Sequence, residues 1–388
     1  MRGTAAANRR PALVALAGAM LAATALPAAA LDRELSSEAG PLQVTTAVTG
    51  LANPWAFEFL PDGAMLVTEK AGRLRVAAPD GTLGAPISGL PEIDAGGQGG
   101  LLDVALDPGF AENATIWFTF SEPAEGGNST ALAKGVLSSD RTSLSDVTTV
   151  FSQLPRYAGN KHFGSRIVFD GEGHVFLGLG ERSDQPIRNR AKDLDNHLGK
   201  VVRLNLDGSV PQDNPFVGRD GALPEIWSYG HRNIQGGARH PETGAIWFTE
   251  HGPKGGDELN LIEKGANYGW AEVSYGVNYD GTPVGTGEKT APGVTDPVHQ
   301  WTPVIGASGL EFYTGDLFAD WKGDAFAGGL ATTDLVRLTM EDGKVTGEER
   351  LLADLGLRIR DVKAGPDGAI YVATDERNGE ILKIAPAD

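Results

Sequence analysis

Gln98, His162 and Asn233 each stand eleven residues ahead of a glycine: Gly109, Gly173 and Gly244. An imidazole and two amides at one recurring offset are expected when copies of a unit each deliver a side chain to a shared point. His162 can act there as a general base, because an ordinary imidazole titrates near neutral pH, or it is a hydrogen-bonded structural histidine. Arg358 and Arg360 fall ten and eight residues ahead of a further glycine of the series, Gly368. Alternate residues of a strand project to one side, so the pair suits a ligand carrying carboxylates, which guanidinium groups bind bidentately. The competing reading is a pair of surface arginines matched to neighbouring acids. The densest polar stretch runs from Ser228 through Arg232 and Asn233, resumes at Glu250 and ends at Trp270. Within it the carbonyls of Gly252 and Pro253, the carboxylates of Asp257 and Glu258 and an oxygen of Tyr268 resemble the set of roughly six to eight oxygens that calcium prefers. The alternative is a solvated acidic turn.

The glycines belong to a repeat: a short apolar run, a turn with Asp and Gly, and a second apolar run, as in Trp55–Thr68 around Gly63. That pattern reads as two antiparallel strands and their hairpin. Copies centre on Gly63, Gly109, Gly173, Gly244, Gly323 and Gly368, spaced 46, 64, 71, 79 and 45 residues apart. Each interval accommodates one four-stranded antiparallel blade, with long insertions in the middle of the chain, so the expected fold is an all-β, six-bladed propeller. A composition of 53 Gly and 23 Pro in 388 residues suits many short strands joined by turns. No linker or low-complexity tract interrupts residues 31–388, which are expected to form a single domain.

Residues 1–30 read differently. Arg9 and Arg10 precede an apolar stretch from Pro11 to Leu26, and Pro27–Ala30 offers small residues suited to signal-peptidase cleavage. The expectation is a removed signal peptide, with the mature chain beginning near Leu31 and residing in the periplasm. A membrane anchor is the other reading, but the stretch is short for a spanning helix and no second span follows. The chain has no cysteine, which excludes disulfides, thiolate metal sites and covalent haem attachment, and favours hard cations. Removing Arg2, Arg9 and Arg10 takes the net charge from −18 to −21. Such a balance argues against nucleic acid or an anionic membrane as partner and suits a neutral small substrate.

Gly97-Gln98-Gly-Gly-Leu-Leu, Lys161-His162-Phe-Gly-Ser-Arg, Tyr229-Gly-His-Arg232-Asn233, Gly252-Pro253 through Asn267-Tyr268-Gly-Trp270, and Arg358-Ile-Arg360-Asp361 together resemble the soluble pyrroloquinoline-quinone (PQQ)-dependent sugar dehydrogenases, in particular their aldose sugar dehydrogenase branch. The similarity runs from about Leu51 to Ile384. The resemblance implies a six-bladed propeller holding the quinone across its axis. It implies that His162 takes the proton of the sugar's anomeric hydroxyl as hydride passes to the quinone, and that Arg232 and Asn233 stand beside the reacting carbonyl. It further implies that Gln98 touches the same end, that Arg358 and Arg360 bind the cofactor's carboxylates, and that Tyr279 adds a contact. Gly252 and Pro253 match carbonyl ligands of a calcium that polarises the quinone, while Glu258 and Tyr268 match ligands of a second, structural calcium.

The chain departs from the pattern in three places, one of them Thr302-Pro-Val-Ile-Gly-Ala-Ser-Gly309, which differs from the Pro-Ser-rich version expected there. Where family members often carry a lysine facing the cofactor, it reads Gly329-Leu-Ala-Thr-Thr333, so one electrostatic contact is missing or replaced. Lys161 stands where an acid can precede the histidine, which favours a neutral His162 if the two side chains lie close. The implied function is oxidation of aldoses to lactones, with electrons leaving to a separate periplasmic protein or a diffusible carrier. The alternative on the same fold is a calcium-dependent lactonase-type hydrolase, or a non-catalytic propeller that binds sugar or protein. A hydrolase would need a metal-bound water rather than the paired arginines, and a fold alone does not decide function.

Overall fold

Each repeat glycine lies in the turn between the first two strands of a sheet. Gly63 separates Pro54–Phe59 from Met65–Glu69, and the other five occupy the same place in their own sheets. Gly63 has φ +85°, a conformation glycine adopts without steric cost. Gly109 solves the turn differently: it precedes a single helical turn, Phe110–Asn113, and the left-handed residue is Ala114. The structure, a computed structural model, describes residues 1–3 and 30–387. The expected signal segment lies almost wholly outside the described residues. Leu31–Asp388 form one compact unit, and no described helix is long and apolar enough to cross a membrane.

Six antiparallel sheets follow one another along the chain. Their first strands are Pro54–Phe59, Leu101–Leu106, Gly164–Phe169, Ile234–Arg239, Ala307–Phe312 and Ile359–Ala364. Each packs on the next and the last packs on the first, so the six line a closed ring around an axis. The expected propeller is present, with two departures from four strands per blade. The first blade has three, ending at Arg73–Ala77. Its fourth place is taken by irregular chain, in which Gly84 and Ile87 donate to Val76 and Leu74 at 2.8 Å. Pro86 between them has no N–H for a ladder, which prevents a regular strand. The last blade has five: Gly40–Leu51 joins the sheet beside Gly379–Pro386, with Val44 opposite Ile384, and Asp32–Ser37 adds an outer edge. Pairing the first strands of the unit with the last closes the ring and leaves no open seam.

Alternating apolar residues fill the space between sheets, and Trp117, Trp247 and Trp321 are almost completely buried. The inner strands share one irregularity that matters for function. All six change register near their start, between Pro54 and Ala56, Leu101 and Val104, Gly164 and Ile167, Ile234 and Gly236, Ala307 and Leu310, and Ile359 and Asp361. A bulge there twists the strand and re-aims the residues around it. The same end of every blade is thus turned toward one mouth of the axis.

Candidate active site and ion cavity

A cavity of about 360 Å3 opens at the bulged ends of the inner strands, within the range typical of small-molecule sites. Lys70, Gln98, Asn233, His251, Arg358 and Arg360 line it, and Trp55 forms part of its floor. The guanidinium groups of Arg166 and Arg360 lie 4.7 and 5.8 Å from the centre of the Trp55 ring. Arg358 and Arg360 converge as expected: each donates an Nη2 hydrogen to the same oxygen of Asp375, at 2.8 and 3.0 Å. Arg358 also donates to the Leu330 carbonyl and Arg360 to Gln235 Oε1. Burial pushes the Asp375 carboxyl up, but Arg360 and Arg358 outweigh it and hold the pKa at about 2. Three cations therefore face one carboxylate, an excess of two positive charges inside a protein of net charge −18.

Of the three residues at the common offset, Gln98 and Asn233 line the central cavity and His162 lies behind Phe163 and Gly164, outside its lining. The His162 amide donates to Gln98 Oε1 at 2.8 Å, and the Gly164 amide donates to Asn233 Oδ1 at 3.1 Å. Side chains of two blades are thereby tied to the main chain of the blade between them, and Phe163 and Gly164, which follow the histidine, line the cavity. His162 is buried, 6% exposed, and its Nδ1 lies 2.6 Å from Glu181 Oε2. Glu181 also accepts from the Ser183 amide at 3.2 Å. An ionised Glu181 accepting Nδ1–H leaves Nε2 with its lone pair, the form a base requires. Burial is the main force holding the His162 pKa below its ordinary 6.5. Glu181 opposes it, and Arg232 and Lys161 assist, so the expected effect of Lys161 is present as a minor contribution.

A second, ion-sized cavity of about 20 Å3 lies beside Arg232. That is room for about one water-sized particle. Gly252, Pro253, Glu258 and Tyr268 all line it, together with Glu250, so residues expected at two calcium sites line one cavity. The donor chemistry fits a hard cation. Burial raises the Glu258 carboxyl well above its usual value, and Glu250, Asp257 and Asp296 add to the repulsion, a load that a bound cation relieves. No group of three carboxylates or imidazoles is arranged for a metal among the described residues, so main-chain carbonyls must contribute ligands, as calcium allows. The Tyr268 hydroxyl is committed elsewhere: it donates to the Leu261 carbonyl and accepts from the Glu263 amide, leaving its main-chain oxygen for an ion. Arg232 donates to the His251 and Gly252 carbonyls at 2.8 and 2.7 Å; a carbonyl keeps a second lone pair for a cation. Tyr279 is 75% exposed, with its hydroxyl 3.4 Å from Arg232 Nη2. It stands beside the arginine and is not among the residues lining the central cavity.

A second ring of residues was not among those expected from the sequence. Lys70, His251, Leu330 and Asp375 all line the central cavity, and each follows the second strand of its blade. Their amides donate to the carbonyls of Asn53, Asn233, Gly306 and Arg358, the residues just before the inner strands. Glu181 sits one residue beyond the equivalent place in the third blade and donates to the Arg232 carbonyl. Leu330, within the stretch Gly329–Thr333, is an apolar member of this ring, while Lys70 supplies an ammonium from the corresponding place in the first blade. The signal available was a polar residue directly after the second apolar run, as at Lys70, His251 and Asp375. Burial, then Arg360 and Arg232, drive the His251 imidazole down to about 3, so this ring is neutral.

A family model described as Glucose / Sorbosone dehydrogenase matches residues 51–383. Aldose sugar dehydrogenase YliI of Escherichia coli (strain K12) is 45% identical over 365 residues, which span 93% of this chain and 97% of the relative. The crystal structure of the soluble aldose sugar dehydrogenase from Escherichia coli in the apo form matches with a TM-score of 0.86 at 44% identity, over 89% of this chain and 100% of that one. The PQQ-bound form of an aldose sugar dehydrogenase from Streptomyces coelicolor matches with a TM-score of 0.73 at 27% identity, over 89% and 98% of the two chains. The propeller, the cavity on its axis and these likenesses agree, and the chain belongs to the glucose/sorbosone dehydrogenase family.

Proposed function

We propose that the protein is an exported quinoprotein that oxidises the C1 hydroxyl of cyclic aldoses to lactones, with PQQ in the central cavity and calcium in the ion-sized cavity. The observation that carries this reading is the cavity's charge: Lys70, Arg358 and Arg360 surround a single carboxylate, a polycationic cradle for a flat anion bearing carboxylates. The sugar and the quinone come from the relatives named above, one an aldose sugar dehydrogenase and another described in a PQQ-bound form.

When bound, the quinone supplies the acceptor for the hydride that leaves C1. His162 Nε2 takes the proton of the C1 hydroxyl, with Glu181 holding the ring in the required tautomer. Arg232 and Asn233 occupy the adjacent inner-strand start, where a guanidinium and an amide stabilise developing negative charge. Arg358 and Arg360 orient the acidic end. Gly252, Pro253, Glu258 and the Tyr268 carbonyl would hold the calcium. Electrons then leave to a separate acceptor, a periplasmic protein or a diffusible carrier.

The test is to add PQQ and calcium to purified apoprotein and then glucose, following the quinone's absorbance and the reduction of an artificial dye. Spectral reduction with dye turnover is the expected result. Failure to take up the quinone would move the protein to the hydrolase or binding-module reading.

A further inference from the structure

The linings of the central cavity and the ion-sized cavity share His251. Its main chain is fixed at both ends, the amide donating to the Asn233 carbonyl and the carbonyl accepting from Arg232 Nη1. The side chain therefore has little freedom to withdraw from the wall. Its Nε2 is buried without a hydrogen-bond partner, and so are Nε of Arg232 and Nε of Arg360, the two arginines whose charges act on the ring. A buried polar atom left unpaired costs about 1–3 kcal/mol, so three on neighbouring residues mark a surface that a ligand completes. The remaining ring nitrogen faces the Ala307 backbone; a neutral ring with its proton there would present Nε2 as an acceptor.

Resting on the quinone reading above, we infer that His251 is a ligand-binding residue of the central cavity, its Nε2 accepting a hydrogen bond from an N–H or O–H of the bound quinone. The positioning follows from the fold: the bulge at Ile234 and Gly236 and the end of the second strand, Ile246–Glu250, bring Asn233 and His251 side by side. The bond also explains a polar residue at a place in the ring where Leu330 serves the fifth blade without one.

Two variants and one spectrum test this. Equilibrium binding of PQQ in saturating calcium, followed by protein fluorescence, is compared for the wild-type chain, His251→Phe and His251→Gln. His251→Phe should bind about tenfold more weakly, the worth of one buried hydrogen bond, while His251→Gln, which keeps an acceptor, should stay within about threefold. Equal affinity of His251→Phe and wild type overturns the inference. If His251→Phe shows no melting transition, 15N-histidine spectra of the wild-type chain decide: the His251 Nε2 resonance, assigned with His251→Gln, should move when PQQ is added, and an unmoved resonance overturns the inference. A wild-type chain that takes up no PQQ overturns the functional reading itself and this inference with it, an outcome distinct from intact binding in all three proteins.

Discussion

The two ends of the six inner strands are built from the same ladders and differ in how their charges are settled. At the bulged end, Lys70, Arg358 and Arg360 face Asp375, and buried nitrogens of His251 and Arg360 have no partner. At the other end the strands deliver Glu58, Arg239, Glu311 and Lys363 to a second cavity of about 410 Å3, where two acids face two bases and Lys363 lies 3.1 Å from Glu58. Size does not separate the two mouths. One has three cations to a single carboxylate and the other as many acidic as basic side chains, and only the first calls for an anionic ligand.

The largest way to sharpen that contrast is at His162. His162→Gln should lower kcat by about 10²- to 10⁴-fold, the range a positioned base supplies, while the dissociation constant for PQQ stays unchanged; steady-state kinetics beside a binding titration separates the two. Glu181→Gln should fall in the same direction, because an amide no longer enforces the Nδ1–H tautomer. Next in size, Arg358→Ala with Arg360→Ala should weaken PQQ reconstitution about a thousandfold, as two charge-assisted bonds of roughly 1.5–3 kcal/mol each are lost. Unaltered reconstitution would remove the quinone from this mouth. Smaller again is an effect of pH. Because burial, Arg232 and Lys161 keep the His162 pKa below 6.5, the base form persists as pH falls, and the acid limb of kcat should lie below that value. Lys161→Glu should move the limb upward in a pH–rate profile.

Much of this arrangement was legible in the sequence, for a physical reason. A hairpin glycine marks the turn and the inner strand before it has constant length, so equal offsets bring residues to the same end of the axis, three, two and one residues before the inner strands for Gln98, His162 and Asn233 because the turns differ in length; Gln98 and Asn233 reach the cavity lining. Asp375, His251 and Lys70 escaped because their place is counted from the far side of the hairpin, and the bulges break the simple pairing that would have projected them onto Arg358, Asn233 and Asn53. Strand counts failed at the chain's extremes. Pro86 removes a fourth strand from the first blade, and pairing of Gly40–Leu51 with Gly379–Pro386 is a contact between sequence-distant segments that no local pattern encodes. Tyr268 was expected to offer an oxygen, but its hydroxyl is used by Leu261 and Glu263, which only the packed loop reveals.

The mouth at the far end of the inner strands offers the last and smallest test. Burial, with Glu58 and Asp361 reinforcing it and Lys363 opposing, pushes the Glu311 carboxyl up to about 7 from an ordinary 4.5. The folded protein thus holds a proton there that the unfolded chain releases between those values. Stability from this group is complete below pH 4.5 and is lost as pH rises through about 7. Glu311→Gln, neutral at every pH, should leave the melting temperature near that of wild type at pH 5 and raise it by a few degrees at pH 8. PQQ affinity should not change, since Glu311 lies at the opposite end of the inner strands. A variant that melts in parallel with wild type at both pH values would show that this mouth is not balanced in the way its charges imply, whereas a change in PQQ affinity would show that the two ends of the axis are electrostatically coupled through the Arg166, Asp103 and Asp361 ion pairs between them.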